Sequence, residues 1–574
     1  MNGQEKALLN QVSIDEPWAL IEKFAGFARE HPDDVNKGMD LVCARLKASK
    51  VPVKVHKPLL YLSLPGKARV EVDGKTFRAK PPAYSVDARN GLSGKLVYMP
   101  ANQADDIDTI FDKKLADPIA AEKAVRGNIV ISEGFASPGM ISEFQKLGAI
   151  GVIGINPGVD IHWGICTEIW GMPGLDDLPR KPAVPAVAVN RPDGDALIAL
   201  AKQGKSITLF TEMEEGWFES KLPEVTIPGR DGGDEYVLLH GHLDSWDVGV
   251  GDNAVGDATM LEIARVLWAN RDKLKRNVKI CWWPGHSTGR YAGSTWYADA
   301  FAIDLEENCV AQVNCDSPGC RWATEFTQLS VMSEADAFLA EVVKEVANKK
   351  THGERPHRAG DYSFNNIGIS SYLMLSSTMK DSDREEKGYY AVGGCGGNIA
   401  WHTENDTLEI ADKDILLRDI KVYLLCVFRN ANAKILPFDW RATAKEFAGT
   451  IAAYQKKAGK RFNLKPAKDA NKALQDALDT FYSRVQRGKI KADMANATIK
   501  DLARILVPVN FTAQPRFKHD PALTVKPLPL ISLASELDQV PADQLGFAQV
   551  QLVRGQNHIV SALNQARRLV EAAG

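Results

Sequence analysis

The chain has 574 residues, 45% hydrophobic and 25% charged, with 70 basic against 73 acidic side chains and a formal net charge of -3. Such a composition excludes a disordered or fibrous protein, and the length implies about three to four units of ~150 residues rather than one core. No basic run is long enough for a nucleic-acid footprint, and no stretch approaches the ~18 uninterrupted apolar residues of a membrane span, so neither nucleic acid nor membrane is expected as a partner.

The first residues, MNGQEKALLNQVSIDEPWALIEKF, lack a basic segment followed by an apolar core, which predicts a cytoplasmic protein. Residues 14 to 50 read as two helices, with Trp18, Leu20, Ile21, Phe24 and Phe27, then Met39, Val42, Leu46 and Ala48, at helical spacing. KVHKPLLYLSLP and ARVEVDGKTFRA read as strands, the second stretch folded at Asp73-Gly74, a dipeptide suited to a type I′ hairpin. Between 96 and 212 the apolar runs GKLVYMP, GNIVISEG, GAIGVIGIN and AVPAVAVN alternate with helices, one from Gly139 to Lys146, which predicts a small β-rich insert.

From 236 to about 430 the runs YVLLHGH, NVKICWWPG, CVAQVNCDS and SSYLML alternate with amphipathic helices such as ATMLEIARVLWANRDKL. The fold class is therefore α/β, a mixed, mostly parallel sheet with helices on both faces, and functional loops belong at the carboxyl ends of its strands. Beyond 436 helical patterns dominate, from TAKEFAGTIAAYQKKAG to the terminal HIVSALNQARRLVEAAG. Eight cysteines (43, 166, 281, 309, 315, 320, 395 and 426) show no CxxC pair and read as reduced, buried thiols.

Chemistry concentrates at two strand ends and behind a glycine-rich loop. GHLDSWDVGVGDNAVG carries His242, Asp244 and Asp252, VNCDSPG carries Asp316, and WHTENDT carries His402 behind the glycine-rich AVGGCGGN. Imidazole and carboxylate are zinc ligands, and a carboxylate bridges two ions through its two oxygens. Singly, each residue reads more readily as a hydrogen-bonded loop or turn residue. Together, in this order, they point to a metal site.

With AGSTWYAD at 292 to 299 and LPFDW at 436 to 440, these segments resemble the co-catalytic zinc peptidase superfamily, the branch of glutamate carboxypeptidase II and the transferrin receptor. The resemblance implies a catalytic-type unit over 1–95 and 213–435, a protease-associated insert over 96–212, and a helical dimerisation-like unit over 436–574, hence a homodimer. It implies one metal on His242 and Asp316, a second on His402, Asp252 bridging them, and Asp244 orienting His242. The ion expected is zinc, one or two per chain, with manganese or another divalent ion as an alternative.

Family members that work as peptidases carry two adjacent glutamates before the glycine-serine of the AGSTW-like segment. Here CWWPGHSTGRYAGSTW has His286 and Ser287 at those places. Serine is a poor substitute for a carboxylate ligand, which weakens the second metal. His286 has two open roles, proton acceptor or metal ligand. Ser287, Trp246, Trp401 and His558 are candidate substrate contacts, His558 standing where the carboxypeptidase branch grips glutamate. The first functional reading is a metal-dependent hydrolase of an amide-like bond in a small molecule or peptide. A lyase on the same scaffold and a non-catalytic, transferrin-receptor-like binding protein are the alternatives.

Overall fold

A strand covered on both faces needs a continuous apolar run, and in the computed structural model YVLLHGH forms such a strand, Tyr236–His242, buried along its whole length. The structure describes residues 1–101, 118–372 and 377–573. Tyr236–His242 pairs in parallel with Asn277–Trp283 on one side and Cys309–Asn314 on the other. Leu222–Ile227 and Lys54–His56 extend the sheet beyond Asn277–Trp283 as antiparallel strands. The sheet is mixed, as the apolar runs predict, but two of its four strand pairings are antiparallel, so it is not the mostly parallel sheet expected.

Alternation along the central strand sends Val237 and Leu239 into a core with the helices Asp15–Phe24, Val255–Ala269 and Lys413–Asn432. Tyr236 and Leu238 face the other way, toward Tyr297, Ala298 and Leu305 on Ala292–Ala300 and Ala302–Asn308. Helices thus cover both faces. His242 lies beside Trp283 in register, and Asn314 lies beside His240, so all three parallel strands end at one edge. Gly241 allows this edge to close: a Cβ there would stand 2.5 Å from the Cys315 carbonyl oxygen.

A second, seven-stranded sheet runs in the order Lys75–Ala79, Leu59–Val72, Ser206–Glu219, Leu92–Tyr98, Ile129–Glu133, Gly151–Ile155, Ala186–Val189. It draws in two strands that the sequence boundary at residue 96 assigned to the first stretch. The reason is physical: Leu59–Val72 is 14 residues long and serves two cores. Leu60 and Leu62 pack with Ala292, whereas Val70 and Val72 lie in the core of the second sheet. The turn at Asp73 and Gly74 has φ of 49° and 74°, as a type I′ hairpin requires.

Four long helices, Trp440–Ala458, Lys465–Gln486, Ala492–Phe511 and Leu545–Ala572, form the C-terminal region, as the helical patterns predict. The expected strand SSYLML lies partly outside the described residues; Ser371 and Tyr372 form only single bridges, to Gln312 and Val331. All eight cysteines are free and buried. No described helix is long and apolar enough to cross a membrane.

Glu334 ties the C-terminal helices to the α/β unit. Its carboxylate accepts from Ser370 Oγ at 2.8 Å and from Thr443 Oγ1 at 2.9 Å. Burial pushes it up to about 7 despite those hydroxyls. Because the folded value exceeds the unfolded one, Glu334 supplies stability that is full at low pH and lost as pH rises through about 7. Between pH 5 and 8 the wild type should lose roughly 3 kcal/mol that Glu334→Gln retains. Urea unfolding of both proteins at the two pH values checks this, and parallel pH dependences would refute it.

Candidate metal centre

The three parallel strands deliver their polar residues to one place. His242 closes its strand, Asp316 follows Cys309–Asn314 by two residues, and His286 follows Asn277–Trp283 by three. Asp252 comes from the loop leading into Val255–Ala269, and His402 from the turn behind the glycine-rich segment. His242 Nε2 lies 3.0 Å from Asp252 Oδ1 and 3.7 Å from Asp316 Oδ2, while His402 Nε2 lies 3.1 Å from Asp252 Oδ2. Asp252 therefore faces one imidazole with each oxygen.

Each of the three histidines is held through Nδ1. His242 Nδ1 donates to the Asp244 carbonyl at 2.8 Å, and His402 Nδ1 to the Trp163 carbonyl at 3.0 Å. His286 Nδ1 donates to the Asp361 carboxylate at 2.7 Å. With Nδ1 committed as donor, the neutral ring carries its lone pair on Nε2, which is the tautomer a metal ligand or a proton acceptor needs. The His242 and His286 rings stack at 3.7 Å, and Trp401 stacks on His402 at 3.7 Å.

The loop carrying Asp252 is fastened from several sides. Asp406 accepts from the N–H of Gly251 at 2.7 Å and of Asp252 at 3.0 Å. Asn253, joined to Asp252 by a cis peptide bond, donates to the carbonyls of His242 and Cys315 and accepts from the Ser317 N–H. The buried guanidinium of Arg29 binds the carbonyls of Leu243, Val248 and Gly249, fixing the neighbouring turn.

Burial alone would push His242 down, but Asp252 and Asp316 outweigh it and raise the imidazole well above its usual range. Asp252 is driven well below the usual carboxylate range by His242 and His402, against its own burial. Asp361 is likewise buried yet held low by His286, His242 and Ser294. Asp406 goes the other way: burial, reinforced by the charge on Asp252, pushes it up to about 7.

The donor set fits a metal. One ligand atom from each of His242, His286 and Asp316 lies within 4.8 Å of the others, the one such group found among the described residues. His242 Nε2 and Asp252 Oδ1 are buried and face each other at 3.0 Å without hydrogen-bond geometry, so a cation between them would meet both lone pairs. Two nitrogens with carboxylate oxygens suit zinc.

Residues 225–426 match the sequence pattern of Peptidase family M28. Over this segment the chain is similar to that family. The chain is 23% identical over 471 residues to the Zea mays protein named "Probable glutamate carboxypeptidase VP8", covering 70% of this chain and 64% of the relative. It is 27% identical over 308 residues to leucine aminopeptidase 2 of Trichophyton tonsurans, covering 51% and 56%. The chain thus spans less than two thirds of the length of these relatives. Among solved structures, a zinc aminopeptidase from Bacillus subtilis aligns with a TM-score of 0.55 at 16% identity, over 74% of this chain and 96% of that one. An aminopeptidase from Aneurinibacillus sp. strain AM-1 aligns at 0.52 and 19%, over 75% and 96%. These likenesses establish the fold.

The sequence-predicted residues separate. His242, Asp252, Asp316, His402 and His286 converge, and all but His242 line one pocket, with Trp401 on its wall. The Asp244 carboxylate does not orient His242. It accepts from the N–H groups of His286 and Ser287, at 2.9 and 2.8 Å, and leaves the orienting to its own main-chain carbonyl. Ser287 and Trp246 are not pocket-lining; Trp246 is buried against Trp163, the rings stacked at 5.2 Å. His558 lines a different cleft, between the C-terminal helices beside Arg504 and Arg554, so it is no contact of this pocket. The pocket encloses a cavity of about 50 Å³, room for a few waters.

Sequence reasoning missed Asp361, Asn253, Arg29 and Trp163. It also gave no role to Asp406, although that residue stands four places after His402 within WHTENDT. Because Asp406 holds the Asp252 loop, Asp406→Ala should lower zinc affinity by roughly 10- to 100-fold. A cation must displace the proton of His242, so affinity in both proteins should rise with pH. Chelator-competition titrations measure both effects; an unchanged affinity in the variant would exclude the role given to Asp406.

Proposed function

We propose that the chain is a metal-dependent hydrolase of an amide-like bond in a small molecule or peptide, working with one divalent ion, zinc in the first instance. The observation that carries this reading is the convergence of His242, Asp252 and Asp316 beside a histidine whose other ring nitrogen is fixed by a buried carboxylate. His242, Asp252 and Asp316 would hold the ion. A bound divalent cation supplies Lewis acidity toward an amide carbonyl and toward water.

His286 does the proton work. Asp361 keeps the proton on Nδ1 and stabilises the imidazolium, leaving Nε2 to take a proton from the attacking water and return it to the leaving nitrogen. The backbone N–H groups of His286 and Ser287 on the Asp244 carboxylate hold this turn in place. His402 and Asp252 lack the glutamate that completes a second site in the superfamily pattern, which supports a single ion.

The proximity of His286 to His242 and Asp316 supports a second role for it, as a fourth ligand. The variant His286→Ala separates the two. As proton acceptor, its loss should lower kcat by roughly 10²- to 10⁴-fold with metal content per chain unchanged. Loss of the ion together with activity would assign His286 to the metal. Wild-type protein that retains no divalent ion after dialysis in zinc would contradict the hydrolase reading itself.

A further inference from the structure

Behind the pocket, His286 stands at the end of a hydrogen-bond chain that begins in another part of the molecule. The buried Asp361 carboxylate accepts from His286 Nδ1 with Oδ2 at 2.7 Å, and from Ser294 Oγ with Oδ1, also at 2.7 Å. Ser294 Oγ lies 2.9 Å from Ser363 Oγ, which in turn lies 3.0 Å from the indole Nε1 of Trp170. All five side chains are buried.

The direction of the chain follows from its ends. An indole N–H can only donate, and an ionised carboxylate can only accept. The two hydroxyls between them are therefore turned the same way: Trp170 donates to Ser363, Ser363 to Ser294, and Ser294 to Asp361. Bonds aligned in this manner polarise one another in a low-dielectric interior. Without the Ser294 hydroxyl, Oδ1 of a buried carboxylate would lose its donor, and the carboxylate would lose the contact that sets its angle toward His286.

Trp170 belongs to the stretch read as an insert, between Gly151–Ile155 and Leu175–Arg180. Its ring is met by Tyr291 at 4.1 Å and by the Arg358 guanidinium at 3.7 Å. At Gly171, where φ is 67°, a Cβ would stand 1.9 Å from Thr295 Oγ1. The loop is thus pressed onto the helix Ala292–Ala300, which carries Ser294, at a place where only glycine fits. Asp361 itself has φ of 57°, a costly conformation that persists where the surroundings enforce it.

We propose that Trp170, Ser363 and Ser294 are positioning residues for His286, fixing Asp361 so that Nδ1 keeps its proton and the ring keeps its place in the pocket. A stretch that carries none of the candidate metal ligands thereby sets the group that moves the proton. This inference rests on the proton-acceptor role proposed for His286, but its test reads the chain alone.

The test uses the full-length protein with isotope-labelled histidine and no added metal, and follows by NMR the exchange of the His286 Nδ1 proton with water; His286→Gln identifies the resonance. Ser294→Ala should speed that exchange by about tenfold or more, the scale of a lost hydrogen bond to a charged group. Trp170→Phe, which keeps an aromatic ring and removes the N–H, should speed it by about threefold. Ser294→Thr, which keeps the hydroxyl, should stay near the wild-type rate. The His402 Nδ1 proton, held by the Trp163 carbonyl outside the chain, should exchange at the wild-type rate in every variant. Thermal unfolding verifies that each variant folds, and Trp170→Phe carries the test if Ser294→Ala does not. Unchanged exchange at His286 in both Ser294→Ala and Trp170→Phe, or equal acceleration at His402, would overturn the proposal; acceleration in Ser294→Ala alone would strike the insert from it. Failure of the hydrolase reading has another signature: the His286 response remains, in a protein that retains no zinc after dialysis.

Discussion

A carboxylate taken out of water costs several kcal/mol unless its charge is met where it is buried. Asp252 meets that condition between two imidazoles, with His242 at 3.0 Å and His402 at 3.1 Å. Those contacts exist because the loop around it cannot move. Asp406 holds its main chain, Asn253 sews it to the ends of two parallel strands, and Arg29 pins the preceding turn. The strand register then brings Asp316 and His286 to the same edge. The grouping of donors proposed to hold a metal depends on this one carboxylate being fixed.

The inserted region takes part in the same construction. Trp163 accepts from His402 Nδ1 through its carbonyl and donates its own N–H to the His402 carbonyl. His162 is held between the Trp401 carbonyl at 2.6 Å and the Tyr390 hydroxyl at 2.7 Å. Lys80 and Arg78 pair with Glu404 two residues beyond His402. A unit that reads in sequence as a separate insert thus orients one of the candidate ligands and supplies a wall of the pocket. Its two longest strands, Leu59–Val72 and Ser206–Glu219, join it to the α/β unit without a flexible linker.

What could be read from the sequence was what local pattern carries. Continuous apolar runs announced the parallel strands, and His242 and Asp316 were legible because strand ends are where such sheets place function, whereas Asp252 and His402 stand in loops and were legible by their motifs. His286, three residues past Asn277–Trp283, follows the strand-end rule. Asp361 was not legible: it stands in HRAGDYS, outside any periodic segment, and reaches His286 across 75 residues. Arg29 acts over more than 200 residues, and Trp163 from another sheet. Such pairings have no local signature. His558 was misassigned because its position in a terminal helix says nothing about which cleft that helix faces. Asp244 was assigned the right neighbour but the wrong group, its carbonyl in place of its carboxylate.

His242, Asp252 and Asp316 are proposed to form a metal centre at the end of the parallel strands. Anomalous diffraction from a crystal of the zinc-loaded protein, collected across the zinc edge, tests it most directly. A metal centre there gives a single strong peak bounded by His242 Nε2 and the carboxylates of Asp252 and Asp316. Absence of density there, or zinc bound only elsewhere in the chain, would contradict it.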